Sequence, residues 1–373
     1  MEGSLLGSRS LARRQDTHVT FTAHLYHSSL SRCYRHCARS GSTGEASAVC
    51  ERMGMFVGAE TENAERGHDA LVARICWHYY KEGQTQDVIA RHLKITRKRV
   101  NQILGEAREN GIVQIAITSP TGPCNELEAR LIATFGLRNA VVVPSPIGDT
   151  DVRNLVGAAA GHYVSDHLPT AGTLGITWGG TINMAAQSLR RRSDEGCRVV
   201  LLCGGLAEST AINPYDNAAM MARALGARCY YVTAPMFAAT EDLRNALISS
   251  EPVQSVLKMV TELDIALLSA VDLSEQSKAL EYGVITPETW QSLRDAGAVG
   301  DICGHYLDAD GQAVEHPLTK RVIHPAMSSL LKVRERVLAA GGPQKVAIIK
   351  AAIRARLADV LITDERAAIG LLG

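Results

Sequence analysis

A short stretch near residue 100 combines basic and amide side chains with helical spacing. Between Gln84 and Leu104, the apolar residues Val100 and Ile103 recur as one face of a helix, and the opposite face is polar. Arg and Lys suit phosphates and guanine edges, whereas Asn and Gln suit adenine edges. The pattern therefore predicts DNA contacts by Thr85, Gln86, Thr96, Arg97, Lys98, Arg99, Asn101 and Gln102. A solvated basic face on an ordinary helix pair is the alternative interpretation.

Glycine-containing loops after apolar strands form a second kind of candidate site. The segment Gly175–Thr181 leaves a strand, contains Gly179 and Gly180, and enters a helix. Glycines let backbone N–H groups close around an anion, and a helix N-terminus adds partial positive charge. The segment lacks the Lys-Ser/Thr pair of a Walker A motif. It predicts an anion site, with a plain strand-to-helix turn as the alternative.

Lys345 lies in the first turn of a predicted helix, after the glycines of a loop that begins at Gly341. A cation there is unfavourable for the helix dipole. Phosphate is the obvious counter-ion, and a solvated surface lysine is the alternative. Further glycine loops contain Gly204-Gly205, with Asn213 beyond them, and Asp301.

No catalytic or metal-binding set of residues has convincing spacing. The sequence shows no Ser-His-Asp or paired-carboxylate arrangement near these loops. His305, His316 and His324 are interpreted as surface or hydrogen-bonded histidines. The spacing of a further group matches no common zinc site, namely Cys33, His36, Cys37 and Cys50. We therefore expect neither an enzyme, nor a metal site, nor a cofactor.

The composition is that of a globular protein with two domains. The chain has 373 residues and zero formal net charge, so any nucleic-acid-binding patch must be local. No apolar run approaches the roughly 20 residues of a membrane span. The nine cysteines are scattered singly, which indicates reduced thiols. These features predict a cytoplasmic protein without a membrane partner.

The N-terminal third divides into two parts. Residues 1–66 are rich in Ser, Arg, His and Gly without a sustained period, and are interpreted as disordered. An alternative is that translation begins at Met53 or Met55. Residues 67–118 predict a winged helix-turn-helix, with a helix over His68–Lys81, two short helices, and a wing strand over Ile112–Ile117. A linker is predicted at residues 120–123.

Residues 119–373 alternate helices with short apolar strands. Such strands imply a mainly parallel sheet covered on both faces, a Rossmann-like three-layer α/β domain. Asp149 is expected to cap the second helix of this domain. Ligands of such domains bind beyond the carboxyl ends of the strands. The predicted strands are Ala140–Val143, Leu174–Thr177, Arg198–Leu202, Cys229–Val232, Asp264–Leu268, Val337–Ala340 and Val360–Ile362.

Taken together, the motifs resemble a known family. The order TQxxIAxxLxITRxxVNQIL, GITWGGT, LLCGG, INP, GDICGHYLDADG, AAGGPQK and LITDERAA, over about residues 70 to 373, is similar to that of the SorC family of bacterial sugar-responsive transcriptional regulators. The resemblance implies a regulator, chiefly a repressor, of a sugar or polyol catabolic operon. It also implies operator DNA and a phosphorylated sugar or polyol as partners, and a homo-oligomer, a dimer or tetramer.

The resemblance also assigns roles to residues. The phosphate would be held by Thr177, Gly179, Gly180 and Thr181, and the sugar would be lined by Gly204, Gly205, Asn213, Asp301 and Lys345. Two positions depart from the family pattern. Lys94 stands where the DNA-binding turn usually has glycine, and Cys203 stands where some relatives have an arginine. The second departure argues against a second phosphate on the effector.

Two other functions remain open on the sequence alone. The effector domain of the family is similar in fold to sugar-phosphate isomerases and deaminases, so such an enzyme with an added nucleic-acid module is the alternative. A sensor of a phosphorylated signalling furanone would differ only in its ligand.

Overall fold

The computed structural model describes residues 68–109, 112–113, 122–148, 151–208 and 212–373. The predicted N-terminal extension, its zinc candidates and most of the predicted wing lie outside these residues. The chain divides into two compact units, Met1–Ala107 and Arg108–Gly373. None of the helices in the described ranges has the length and apolar character of a membrane span.

The first unit contains the predicted helices. Helix α1 covers residues 68–76 and continues into a π-helical turn, Trp77–Lys81. Helices α2, Gln86–Leu93, and α3, Arg97–Glu109, follow. The side chains that hold the three helices together are at most 2% exposed, and they are Ile75, Ile89, Val100, Ile103 and Leu104. The apolar spacing along α3 therefore marks its buried face.

Local hydrogen bonds set the ends of α2 and α3. The Thr85 hydroxyl accepts from Val88 N at 3.4 Å, and the Thr96 hydroxyl accepts from Arg99 N at 3.2 Å. Both threonines are therefore N-caps. Lys94 ends α2 in the left-handed conformation, with φ 53° and ψ 41°. The tight turn forms although a lysine occupies the position that favours glycine.

The second unit alternates helices and strands in the predicted manner. Its helices are α4 Gly122–Phe135, α5 Val152–His167, α6 Gly180–Ser188, α7 Pro214–Leu225, α8 Glu241–Ser249, α9 Glu251–Lys258, α10 Lys278–Glu281, α11 Pro287–Asp295, α12 Met327–Leu330, α13 Val346–Arg354 and α14 Glu365–Leu372. Its strands are β1 Asn139–Val143, β2 Thr173–Ile176, β3 Arg198–Leu201, β4 Arg228–Tyr230, β5 Ile265–Asp272, β6 Gly300–Ile302, β7 His305–Leu307, β8 Glu335–Ala339 and β9 Val360–Asp364. Short 3-10 turns, Met259–Glu262 and Pro343–Lys345, precede β5 and α13.

The strands form a mainly parallel sheet in the order β1-β9-β8-β5-β2-β3-β4. Strand β5 is central and longer than its neighbours, and its last residues pair antiparallel with β6, which pairs with β7. Strand β2 ends beside the first half of β5, because Ile176 pairs with Leu267. The loop after β2 therefore lies beside the later residues of β5, where Thr177 N donates to Leu267 O and the Thr177 hydroxyl accepts from Ser269 N.

Alternate residues of the strands enter two separate cores. In β5, Ile265 and Leu267 belong to the core that packs against α5, α6 and α7, whereas Ala266 and Leu268 belong to the core with α4, α13 and α14. Helices thus cover both faces of the sheet. The predicted three-layer α/β architecture is confirmed.

Three local features differ from the expectations. Helix α4 begins at Gly122, inside the predicted linker, and a proline near the start of a helix is compatible with its first turn. The cap of α5 is Asp151, whose Oδ1 accepts from Arg153 N at 2.9 Å, whereas Asp149 lies outside the described residues. The hairpin β6–β7 was not predicted. Its turn has Cys303 at φ 54° and Gly304 at φ 83°.

Candidate functional site

The polar face of α3 carries the residues predicted to contact DNA. Arg97, Lys98, Asn101 and Gln102 are exposed, and Arg99 is partly exposed. The face therefore presents cations and amides together, although several of them already have partners in the unit.

Those partners tie the face to its own helices. Gln86 Nε2 donates to Asn101 Oδ1 at 3.3 Å, which links α2 to α3. Gln102 donates to Glu106 at 2.7 Å, and Arg97 Nη1 lies 3.6 Å from Asp87 Oδ2. These contacts are exposed and weak, so a nucleic acid can replace them.

The loop after β2 enters α6 through the predicted glycines. Gly179 has a φ of 110°, a conformation that side chains rarely adopt. Its carbonyl accepts from Asn183 N at 3.0 Å, which begins the helix. The first N–H groups of α6, from Gly180 onward, lack partners within the helix. They form a site of partial positive charge at the edge of the sheet.

A cavity lies at this helix start, and cations surround it. Its wall brings Gly179, Gly180, Thr181 and Lys345 together, four residues predicted from the sequence. Its lining consists of Arg153, Trp178, Gly179, Gly180, Thr181, Ile212, Ser269, Ala270, Val271, Asp272, Lys278, Ala279, Tyr282 and Lys345. The arrangement can bind an anionic group from several directions.

Lys345 reaches the cavity from the glycine loop after β8. Its Nζ donates to Ala270 O at 2.7 Å. Burial lowers the pKa of Lys345, and the nearby Asp272 carboxylate opposes this shift. An anion in the cavity would stabilise the same ammonium group.

Two further cations were not predicted. Arg153, in the first turn of α5, pairs with Asp151, and Lys278 of α10 pairs with Glu281 at 2.5 Å. The criterion that identified Lys345, a cation in the first turn of a helix, also applies to Arg153. Lys278 also begins a helix, but α10 has only four residues and was not predicted from the sequence.

A second, smaller cavity shares Trp178 with the first, because this residue lines both. Its wall consists of Trp178, Cys203, Met236, Phe237, Asp301, Gly304, Tyr306 and Val322. Asp301 is 4% exposed, and its Oδ2 has no hydrogen-bond partner in the part of the chain that the structure describes. Burial raises the pKa of this carboxyl to about 7, although the Gly304 N–H favours its ionised form. A ligand hydroxyl would supply the missing partner.

Thr177 lies beneath the first cavity and does not line it. Its Oγ1 is fully buried, accepts from Ser269 N at 3.0 Å, and lies 3.2 Å from Ser269 Oγ. Because Ser269 Oγ donates to Trp178 O at 2.6 Å, the Thr177 hydroxyl donates to Ser269 Oγ. This network fixes the loop before Gly179.

Gly204, Gly205 and Asn213 also have structural roles at this edge. A Cβ on Gly204 would lie 2.2 Å from Pro235 O, and one on Gly205 would lie 1.9 Å from Tyr215 Cε2. Asn213 caps α7 by accepting from Tyr215 N at 2.9 Å. Its Nδ2 donates to Leu206 O and Glu208 O. None of the three lines either cavity, and both polar atoms of the Asn213 side chain are hydrogen-bonded to backbone groups.

The three histidines singled out in the sequence, His305, His316 and His324, line neither cavity. His305 and His324 face one another, with ring centroids 4.1 Å apart, and both contact Pro325 O. His316 lies 3.0 Å from Ser292 Oγ. Within the described ranges, no group of His, Cys, Asp and Glu is arranged to hold a metal ion.

The chain is similar to a family model and to known regulators. Residues 119–373 match the family model "Putative sugar-binding domain". The chain is 30% identical over 305 residues to the transcriptional regulator LsrR of Escherichia coli, covering 81% of this chain and 94% of that protein. It is 28% identical over 308 residues to the erythritol catabolism regulatory protein EryD of Brucella abortus, covering 82% of this chain and 97% of that protein.

Solved structures agree. The full-length sorbitol operon regulator SorC of Klebsiella pneumoniae is similar with a TM-score of 0.63 and 25% identity, covering 82% of this chain and 99% of that one. A DeoR family regulator of Listeria monocytogenes is similar with a TM-score of 0.62 and 25% identity, covering 66% of this chain and 99% of that one. The protein belongs to the SorC family of sugar-binding transcriptional regulators.

Proposed function

We propose that this regulator binds operator DNA through α2 and α3 and senses a phosphorylated sugar or polyol in the cavity at the start of α6. Residues 67–118 form the DNA-binding domain, and residues 119–373 form the effector-binding and oligomerisation domain. The protein acts in the cytoplasm as a dimer or tetramer, and as a repressor that its effector releases from DNA.

The observation that carries this proposal is the convergence of cations on one helix start. Arg153, Lys278 and Lys345 line the same cavity as the first residues of α6. Oriented N–H groups and nearby cations are what a phosphate dianion needs. Asp272 faces the same cavity and can accept hydrogen bonds from hydroxyl groups.

The Asp301 cavity supports an uncharged end for the same ligand. Its wall is largely apolar, and no Lys or Arg is among the described residues that line it. A second phosphate would face the Asp301 carboxyl without a counter-ion. A hydroxyl group would instead donate to the unpartnered Oδ2. The effector is therefore proposed to carry a single phosphate.

The DNA-binding proposal rests on the exposed face of α3. A helix of this kind enters the major groove, where base edges can be read. Lys98 is exposed, and it suits a phosphate contact. The mechanism is a population shift, in which effector binding favours an arrangement of the oligomer with lower operator affinity.

The enzyme alternative has one observation in its favour. Asp301 has a pKa near 7, as a general acid or base would need. A reaction also requires a second acid–base group facing the same ligand. Among the described residues, no histidine lines either cavity, and the relatives named above are regulators.

The test is fluorescence anisotropy with DNA from upstream of the protein's own operon. Purified protein is titrated with and without a panel of sugar and polyol phosphates, including a phosphorylated furanone. Tight, salt-sensitive binding that one compound releases is the expected result. No binding to any upstream DNA would count against the regulator, and the panel would then be assayed for turnover.

Two variants separate the two activities. Lys98→Ala should weaken operator binding on all sequences and reduce the salt dependence, while effector binding is retained. Thr181→Val should weaken the effector response while DNA binding is retained. Equal loss of both activities in either variant would show damage to the fold instead of to one site.

A further inference from the structure

Arg153 lines the cavity at the start of α6 and is paired with Asp151, the cap of its own helix. Its Nε and Nη2 lie 2.7 and 2.5 Å from Asp151 Oδ2. The Arg153 side chain is 21% exposed and that of Asp151 is 38% exposed, so the guanidinium is the more shielded partner of the pair. Tyr282, in the segment after α10, lines the same cavity.

The guanidinium of Arg153 lies directly on the start of α6. A Cβ built on Gly180 would be 2.6 Å from Arg153 Nη1. Gly180 is the first residue of α6. An anion held by the free N–H groups of α6 would therefore lie within reach of the same guanidinium.

We propose that Arg153 binds the anionic group of the effector, and that Asp151 is the counter-ion from which the guanidinium is released when the effector binds. This inference rests on the proposed function, because it concerns the same cavity. It adds a binding residue and a competing carboxylate that neither the glycine motif nor Lys345 indicates.

The chemistry of the two partners supports an exchange. A phosphate can accept two parallel hydrogen bonds from a guanidinium, and each is charge-assisted. Asp151 does not need the Arg153 side chain for its role as the cap of α5. In that role its Oδ1 accepts from the backbone N–H of Arg153. The side chain can therefore turn towards the ligand while the cap is retained. Until then, the Asp151 carboxylate competes with the ligand and lowers its affinity.

The decisive variant is Asp151→Asn. Asparagine caps a helix about as well as aspartate, so the variant removes the competing charge and retains the cap. We expect glycerol 3-phosphate and inorganic phosphate to bind about three- to tenfold more tightly to the full-length variant than to the wild type. A ³¹P NMR titration at constant ionic strength measures both affinities.

Arg153 variants should change the affinity in the opposite direction. Arg153→Gln should weaken binding of both compounds by about tenfold or more, and Arg153→Lys should be intermediate because it keeps the charge and loses the bidentate geometry. Arg190→Gln is the control, since Arg190 forms an exposed pair with Asp166 at the other end of α5. Thermal unfolding of each variant establishes that it is folded.

The outcomes separate this inference from the proposed function. Unchanged or weaker binding by Asp151→Asn would overturn the inference and leave Asp151 with the role of a helix cap alone. Failure of the wild type to bind either compound would overturn both the cavity and the role of Arg153. Tighter binding by Asp151→Asn in a protein that binds no operator would support the inference and contradict the proposed binding of operator DNA.

Discussion

Asp301 is a buried carboxyl whose Oδ2 has no partner among the described residues. Burial raises its pKa to about 7, whereas an unfolded aspartate titrates near about 3.9. At pH values between these two pKa values, the carboxyl is therefore protonated in the folded protein and ionised in the unfolded chain. The stability that the neutral form provides is complete below about pH 4 and is lost as the pH rises to 7.

Asp301→Asn should remove this loss. An amide stays neutral at every pH, so the stability of the variant relative to the wild type should rise by roughly 2–3 kcal/mol between pH 5 and pH 8. Urea unfolding of both proteins at the two pH values measures the difference. A difference that is the same at both would mean that Asp301 ionises as it does in the unfolded chain.

The histidine pair should act in the opposite direction. Burial lowers the pKa of His305 to about 3 and that of His324 to about 4. Because these folded-state values lie below the unfolded value of about 6.5, the pair stabilises the protein above that pH. This contribution is lost as the pH falls from about 6.5 towards 4.

His305→Phe tests this loss of stability in acid, since the variant keeps a ring beside His324 and removes one titrating group. The variant is expected to be less stable than the wild type at pH 7, because the contact with Pro325 O is lost. The deficit should shrink by about 1–2 kcal/mol between pH 7 and pH 5. A deficit that grows in acid would contradict a neutral buried pair.

The turn between α2 and α3 contains a testable strain. Lys94 has a φ of 53°, and a left-handed conformation costs a residue with a Cβ about 1–2 kcal/mol. Lys94→Gly should therefore stabilise the helix pair by about 0.5–1 kcal/mol, after allowance for the greater freedom of glycine in the unfolded chain. Hydrogen exchange of the amides of α2 and α3 reports the local stability.

Lys94→Ala is the matched control, because it removes the charge and keeps the Cβ. Its amides should exchange at about the wild-type rates. If the alanine variant stabilises the helices as much as the glycine variant does, the lysine charge and not the backbone conformation is the source of the cost.

Elements with strong periodicity could be predicted from the sequence, and short ones could not. Apolar spacing gave the core face of α3, and the continuous apolar runs gave the parallel strands. The strands Gly300–Ile302 and His305–Leu307 are three residues each, too short for a period to be visible. Their pairing depends on β5, which is remote in the sequence.

Residues of the candidate site could be predicted only where a single loop contains a recognisable residue pattern. Gly179, Gly180 and Thr181 follow each other along the chain, and Lys345 is marked by its helix position. Lys278 reaches the same cavity through the placement of α10, which no local pattern specifies. Conversely, the motif included Asn213, whose side chain is occupied by backbone contacts. Local pattern shows which side chains lie near a ligand, and tertiary packing decides which remain free to bind it.

The whole molecule carries its two proposed sites in different units. The α3 face belongs to the unit Met1–Ala107, and both cavities belong to Arg108–Gly373. An effector can change operator affinity only by as much as its own affinity differs between the two states of the protein. The coupling is a single free energy, so it acts equally in both directions.

Operator DNA should therefore weaken effector binding by the same factor by which the effector weakens operator binding. For a regulator of this kind the factor is expected to be about 5- to 150-fold. Isothermal titration of the effector, identified by the anisotropy panel, is performed with and without saturating operator duplex. Lys98→Ala serves as the control. At a duplex concentration that is too low to bind this variant, the effector affinity of the variant should not change. If operator leaves the effector affinity of the wild type unchanged while the effector still releases DNA, the release does not come from binding in the cavity at α6, and competition at the α3 face becomes the explanation.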